Sequence, residues 1–287
     1  MNKRHRSTIA CIFFILSSLC TAVAASRAEC SVVKSAILGH AVSYCVLLPS
    51  SFDTNKTGKF AVLYQLHGLG GSEQSLLDMG WMLIDGLKEK KEIGDFLVAM
   101  PAAGSTFYVN SRDGRVRYED FFIKEFIPYI ENHYRASGMR NRRGIGGVSM
   151  GGYGALHYAF KYPQLFSVVT ANSAALVESV PSGALLVGSG TASPFGDPLD
   201  QTYWSANTPF TLARKTPATL RRLRIYFDCG TNDDYNFQVG AQTLHKELTD
   251  LRVPHEFHLY PGSHDVAYFA QHLPASLKFQ SRVLAGH

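Results

Sequence analysis

"GIGGVSMGGYGAL", Gly144 to Leu156, wraps a single serine in six glycines. Glycine costs conformational entropy and offers nothing to pack, so such a cluster has a geometric cause. The candidates are a phosphate-cradling loop, a tight packing contact, or a turn too sharp for any Cβ. Gly147-Val148-Ser149-Met150-Gly151 fits G-x-S-x-G, in which a strand turns abruptly into a helix and presents the serine at the tip. The flanking glycines are needed because strand and helix converge there too closely for side chains. An apolar strand end, "RGIGGVS", precedes the serine, and "YGALHYAF" follows as a helix, which is the context the turn demands. No Lys-Ser/Thr pair follows the glycines, which excludes a P-loop.

Working outward, short apolar runs alternate with longer mixed segments. "FAVLYQLHG", "FLVAMP", "FSVVTANS", "LRIYFDCG" and "HEFHLYPG" read as strands. "SLLDMGWMLIDGLKEKKE", "YEDFFIKEFIPYIENHYR" (expected as one amphipathic helix), "FQVGAQTLHKELTDL" and a last segment from about Asp265 read as helices. This rhythm predicts an α/β fold, a mostly parallel central sheet with helices on both faces. Function in such sheets collects at the carboxyl ends of the strands. The Ser-, Pro-, Gly- and Thr-rich segment from Leu176 to Pro217 breaks the rhythm and is expected to pass over that face and help shape a pocket.

A serine hydroxyl becomes a nucleophile when a histidine takes its proton, and a carboxylate orients that histidine. In the fold that G-x-S-x-G predicts, acid and histidine follow the serine on loops after late strands. "HLYPGSHDVAYF" supplies His264 after the last strand. His67, His157, His255 and His258 compete, from another loop, the helix after the serine and a strand. "LRIYFDCGTNDDYN" offers Asp233 on loop placement and Asp228 as runner-up, with turn capping the plainer role for Asp228 and Asp234. A tetrahedral intermediate needs two N–H donors: Met150, next to the serine, and Leu69 of the glycine-rich "LHGLGGS" after "AVLYQ".

The 287 residues are 46% hydrophobic and 18% charged, ordinary globular composition without repeats. "MNKRHR" followed by "IACIFFILSSLCTAVAA" has the form of a signal peptide, residues 1–24, with cleavage as late as residue 28 also open. Residues 29–287 then form a single catalytic domain, secreted or periplasmic, with no stable membrane anchor expected. Without Lys3, Arg4 and Arg6 the formal charge falls from +5 to +2, so no nucleic-acid partner is inferred. Of five cysteines, Cys11 and Cys20 lie in that leader. Cys30 and Cys45 stand symmetrically about a turn near Leu38-Gly39, which predicts a disulfide in an oxidising compartment and leaves Cys229 single and buried. No Cys/His spacing resembles a zinc site, and no cofactor is expected. Asn55-Lys56-Thr57 is a glycosylation sequon, of consequence only in a eukaryotic secretory route.

"LHGLGGSEQ", "PAAGSTFYVN", "YEDFFIKEFIPYIENHY", "GGVSMGGYGALHYAFKYPQLF", "FGDP", "FDCGTNDDYN" and "YPGSHDVAYF" occur in an order that resembles the esterase D family of α/β-hydrolases. That family includes feruloyl and acetyl-xylan esterases, S-formylglutathione hydrolases and mycolyltransferases. The resemblance runs from about Ser31 to Leu277. It implies the α/β-hydrolase fold, Ser149 as nucleophile, Asp233 rather than Asp228 as acid, His264 as base, and Leu69 and Met150 as the oxyanion hole. Two departures stand out: Val266 where many relatives carry Trp, and Gly-Ser rather than Gly-Gly before His264.

The expected function is therefore a secreted serine carboxylesterase acting on small acyl or aryl esters, feruloyl or acetyl groups on carbohydrate among them. Phe107, Tyr108, Tyr153 and Trp204 are candidates for flat pocket walls, with Val266 reshaping one, although core packing is the commoner fate of aromatics. Two alternatives share the fold: an acyltransferase using an alcohol or sugar acceptor, and a binding module without turnover. The export signal argues against a cytosolic S-formylglutathione hydrolase.

Overall fold

A computed structural model describes residues 26–178 and 193–285; the proposed leader and the middle of the 176–217 excursion lie outside them. Eight strands form one sheet in the order β1-β2-β4-β3-β5-β6-β7-β8. Their ranges are β1 Arg27–Lys34, β2 Ala41–Leu48, β3 Ala61–Leu66, β4 Phe96–Pro101, β5 Arg143–Val148, β6 Val168–Asn172, β7 Arg224–Gly230 and β8 Glu256–Tyr260. β1 and β2 pair antiparallel, as do β2 and β4, and every later neighbour pair is parallel.

Burial explains the continuous apolar runs. Every residue of β3 and β4 is buried, because helices cover both faces of the sheet. Alternate side chains then feed two separate cores. Val62, Tyr64 and Leu66 of β3 join one, and Ala61 and Leu63 join the other. α1 (Ser75–Glu89) and the last helix cover the second core, while the serine's helix covers the first.

The remaining helices are α2 (Tyr118–Phe121), α3 (Ile127–His133), α4 (Met150–Lys161), α5 (Gln201–Asn207), α6 (Pro209–Lys215), α7 (Pro217–Leu220), α8 (Phe237–Asp250) and α9 (Val266–Leu284). The single helix expected over 118–135 is interrupted by a π-helical turn at Phe122–Phe126, and Pro128 then stands in the first turn of α3. Proline lacks the N–H of a continuous helix, so α3 begins anew there. In the described part of the 176–217 excursion the large side chains Phe195, Trp204 and Phe210 are buried, and of its described residues only Leu176, Val177 and Glu178 reach the pocket face.

The β1–β2 hairpin brings Cys30 opposite Cys45 in register, and the two form a disulfide; Cys229 is free and buried. Among the described residues no helix is long and apolar enough to cross a membrane.

Candidate active site

β5 ends in the residue before Ser149, and α4 starts in the residue after it. The serine itself sits at φ 55° and ψ −119°, a conformation that costs a non-glycine residue about 1–3 kcal/mol. Tertiary bonds hold it there. The Ser149 N–H donates to the Asn172 carbonyl at 3.0 Å, and its own carbonyl accepts from Ala175 N–H at 3.0 Å. The neighbouring glycines are sterically required. A Cβ on Gly147 would overlap the Gly151 backbone, and one on Gly151 would overlap the Leu66 carbonyl.

The sheet order reverses between β3 and β5, so the loops leaving these adjacent strands diverge and open a crevice. A cleft of about 820 Å³ occupies that place. Ser149, Met150, Leu69 and His264 all line it. The oxyanion candidates are thus brought beside the serine: a Cβ built on Gly68 would stand 3.3 Å from Ser149 Cβ. Among the described residues the backbone N–H groups of Leu69 and Met150 have no acceptor, which leaves them available to a ligand.

His264 Nδ1 donates to Asp233 Oδ2 at 2.7 Å. A carboxylate only accepts, so this bond puts the proton on Nδ1 and leaves the Nε2 lone pair for a substrate-side proton. Asp233 is itself well held. Its Oδ1 accepts from Tyr235 N–H at 3.0 Å and Phe237 N–H at 3.4 Å. Burial pushes this carboxyl up, but the His264 bond and charge and the two amides outweigh it, so it lies below its ordinary range. Three rings stand edge-on around the imidazole, Tyr235 at 4.9 Å and Phe237 and Phe269 at 5.3 Å each. Asp234 also has a cross-loop task, accepting the His264 backbone N–H at 3.1 Å rather than only capping its own turn. Among the described residues the Ser149 hydroxyl has no hydrogen-bond partner, to His264 or otherwise.

The competing residues are occupied elsewhere. Asp228 is buried in β7, accepting from Tyr268 Oη at 2.8 Å and Asn172 Nδ2 at 2.6 Å. His157 uses both nitrogens, on the Asn207 carbonyl at 2.8 Å and Glu119 at 2.9 Å. His255 bonds the Val253 carbonyl and His245, each at 2.8 Å. His258 lies in β8 and stacks on Tyr260.

Of the five expected wall residues, Phe107 and Val266 line the cleft, Val266 with 66% exposure. Tyr108, Tyr153 and Trp204 do not: all three are buried, and the reason is hydrogen bonding and packing. Tyr108 Oη donates to the His67 carbonyl at 2.9 Å, Tyr153 Oη to the Asn207 carbonyl at 2.8 Å, and Trp204 stacks on Tyr153. The walls are completed by Tyr235, Phe237, Val239 and Phe269, which sequence reasoning missed although they flank "NDD" and "SHD" closely.

His67 is a second omission. Its Nδ1–H donates to the Gly68 carbonyl at 2.7 Å and its Nε2 accepts from Ala103 N–H at 3.0 Å, which braces the loop carrying Leu69. Burial lowers the His67 pKa and so favours the neutral ring this pairing needs. Among the described residues no group of three His, Cys, Asp or Glu side chains is placed to hold a metal ion.

Comparison with known proteins bears on the family and the fold. The ferulic acid esterase structure superposes with a TM-score of 0.79 at 28% identity, covering 90% of this chain and 99% of that one. An S-formylglutathione hydrolase from Staphylococcus aureus shares the fold alone, with a TM-score of 0.72 at 23% identity, covering 89% of this chain and 99% of that one. Esterase Rv1288 of Mycobacterium tuberculosis (strain ATCC 25618 / H37Rv) is 31% identical over 245 residues, 76% of this chain and 51% of the relative. The chain thus spans about half the length of the curated relatives it matches. The model of the Esterase family matches residues 35–280, which takes in the serine turn, the candidate oxyanion loop and both late-strand loops, and the chain accordingly belongs to the Esterase family, on the α/β-hydrolase fold.

Proposed function

We propose that the chain is an exported serine carboxylesterase that cleaves neutral acyl or aryl esters through an acyl-enzyme. The observation that carries this reading is the 2.7 Å His264–Asp233 bond on the cleft that also holds Ser149 at its positive-φ turn. In the reaction Ser149 Oγ attacks the ester carbonyl carbon while His264 Nε2 takes its proton, the missing hydrogen bond forming as substrate displaces solvent. The Leu69 and Met150 N–H groups receive the oxyanion, and ionised Asp233 stabilises the imidazolium. The imidazolium then protonates the departing alkoxide, and a water repeats the sequence to free the acid and Ser149.

Among the described residues that line the cleft, Glu178 is the one carboxylate, and there is no lysine or arginine. That composition favours a neutral ester over an anionic thioester. The likeness to a ferulic acid esterase supports aromatic acyl groups among the substrates. Export is supported by the Cys30–Cys45 disulfide together with the leader-like first residues.

The test is fluorophosphonate labelling with p-nitrophenyl acetate hydrolysis. Wild-type protein should label at Ser149 and hydrolyse the ester. Ser149→Ala should do neither while its melting temperature stays nearly unchanged. Folded wild-type protein that fails to label would overturn the reading.

A further inference from the structure

Two cavities meet behind the oxyanion loop. The cleft reaches α1 at Ser75 and Met79. Against these residues lies a second, small cavity of about 20 Å³, whose apolar walls include Leu66, Leu76, Met100 and Leu273. Ser75, Met79 and Val148 are walls of both spaces.

This small space is about large enough for one water, which needs two to four polar partners. Four polar side chains stand on its wall, and three of them, His67, Ser72 and Ser75, already carry a bond, Gln65 being the fourth. Both His67 nitrogens are bonded, Ser75 Oγ accepts from Ser72 N–H at 2.8 Å, and Ser72 Oγ accepts from Gln74 N–H at 3.2 Å. The rest of the wall is Leu66, Leu76, Met79, Met100, Val148 and Leu273, so an apolar occupant suits the space better.

The three shared walls differ in mobility. Val148 is β-branched and fixed in β5, and Ser75 is short and tied to its own turn. Met79 is half-buried, unbranched and has the soft thioether that fills irregular gaps. Only Met79 is built to swing.

We propose that Met79 is a movable partition, and that its displacement joins the small cavity to the cleft as a subsite for the straight alkyl chain of the acyl group. This rests on the acyl-enzyme reading. The chain concerned is the acyl one, because the departing oxygen must face His264 to receive its proton. The small cavity has no wall from the His264 loop among the described residues; its sides come from β3, the oxyanion loop, α1, Met100, Val148 and Leu273. Met79 is therefore a specificity-determining residue for acyl length.

The experiment compares kcat/KM for p-nitrophenyl acetate, butyrate and hexanoate in wild type, Met79→Ala and Met79→Phe. The ratio of hexanoate to acetate is read on each preparation, so the folded fraction cancels. Each methylene newly buried is worth about fourfold, so two should raise the ratio roughly fifteenfold in Met79→Ala. In Met79→Phe the ratio should fall. Alkyl acetates of increasing alcohol length should show no such change. Ratios that stay unaltered in both variants of an active enzyme overturn the subsite alone, and a shift in the alkyl acetate series instead overturns the acyl assignment. A wild type that cleaves none of the esters removes the acyl-enzyme reading, and the subsite with it.

Discussion

Asp228→Asn tests how deeply the sheet buries a carboxyl group beneath the candidate site's loops. Burial pushes the Asp228 carboxyl from an ordinary 3.8 up to about 7, while bonds from Tyr268 and Asn172 pull the other way. Between those two pH values the native protein holds a proton that the unfolded chain has lost. Stability then falls as pH rises, because the folded state binds more protons. At about 1.36 kcal/mol per unit, the interval from pH 5 to the folded pKa near 7 is worth about 3 kcal/mol, and above it both states are ionised and the penalty is constant. Asparagine does not titrate, so the variant lacks this fall. Its amide keeps one acceptor but sets an NH₂ group toward an existing donor, which adds an offset independent of pH. The readout is therefore the difference between wild-type and variant urea-unfolding free energies measured from pH 5 to pH 8. That difference should move in favour of the variant by about 3 kcal/mol. Parallel curves across this range would refute the argument, showing that Asp228 stays ionised in the fold.

Asp233→Asn should lower kcat by about four orders of magnitude, since the imidazole loses its orienting acceptor, whereas Asp228→Asn should stay within a few-fold; the reverse order in steady-state assays would transfer the acid's role to Asp228. Gly151→Ala should cost about 3 kcal/mol or more in urea titration, because its methyl would meet the rigid Leu66 carbonyl, and an unchanged midpoint would count against the tight turn. The paired Cys30→Ser and Cys45→Ser variant should lose about 3 kcal/mol, the loop-closure value for a separation of 15 residues, and unchanged stability would mean the bridge is absent in solution.

The parts of the site legible in the sequence were those written locally. The serine turn announces itself because Gly147 and Gly151 must be glycine for a reason contained within a few residues. The Cys30–Cys45 pairing is similarly local, two positions facing across one hairpin. What escaped depends on partners far along the chain. Nothing near Tyr153 indicates that its hydroxyl is claimed by the Asn207 carbonyl, nor near Tyr108 that His67 claims it. The same holds for Asp228, whose partners Asn172 and Tyr268 arrive from β6 and α9. The π-helical turn at Phe122–Phe126 escaped because its aromatic spacing also suits an ordinary helix; tertiary packing decides between them.

The candidate residues leave the sheet from β3, β5, β7 and β8, so they converge only when most of the strands are hydrogen-bonded in place. Peeling away the outermost strand alone would remove His264 while the serine stayed put. Loss of reactivity toward a fluorophosphonate should thus begin at lower urea than loss of bulk helical signal, and the probe would serve as a local gauge of that vulnerable border.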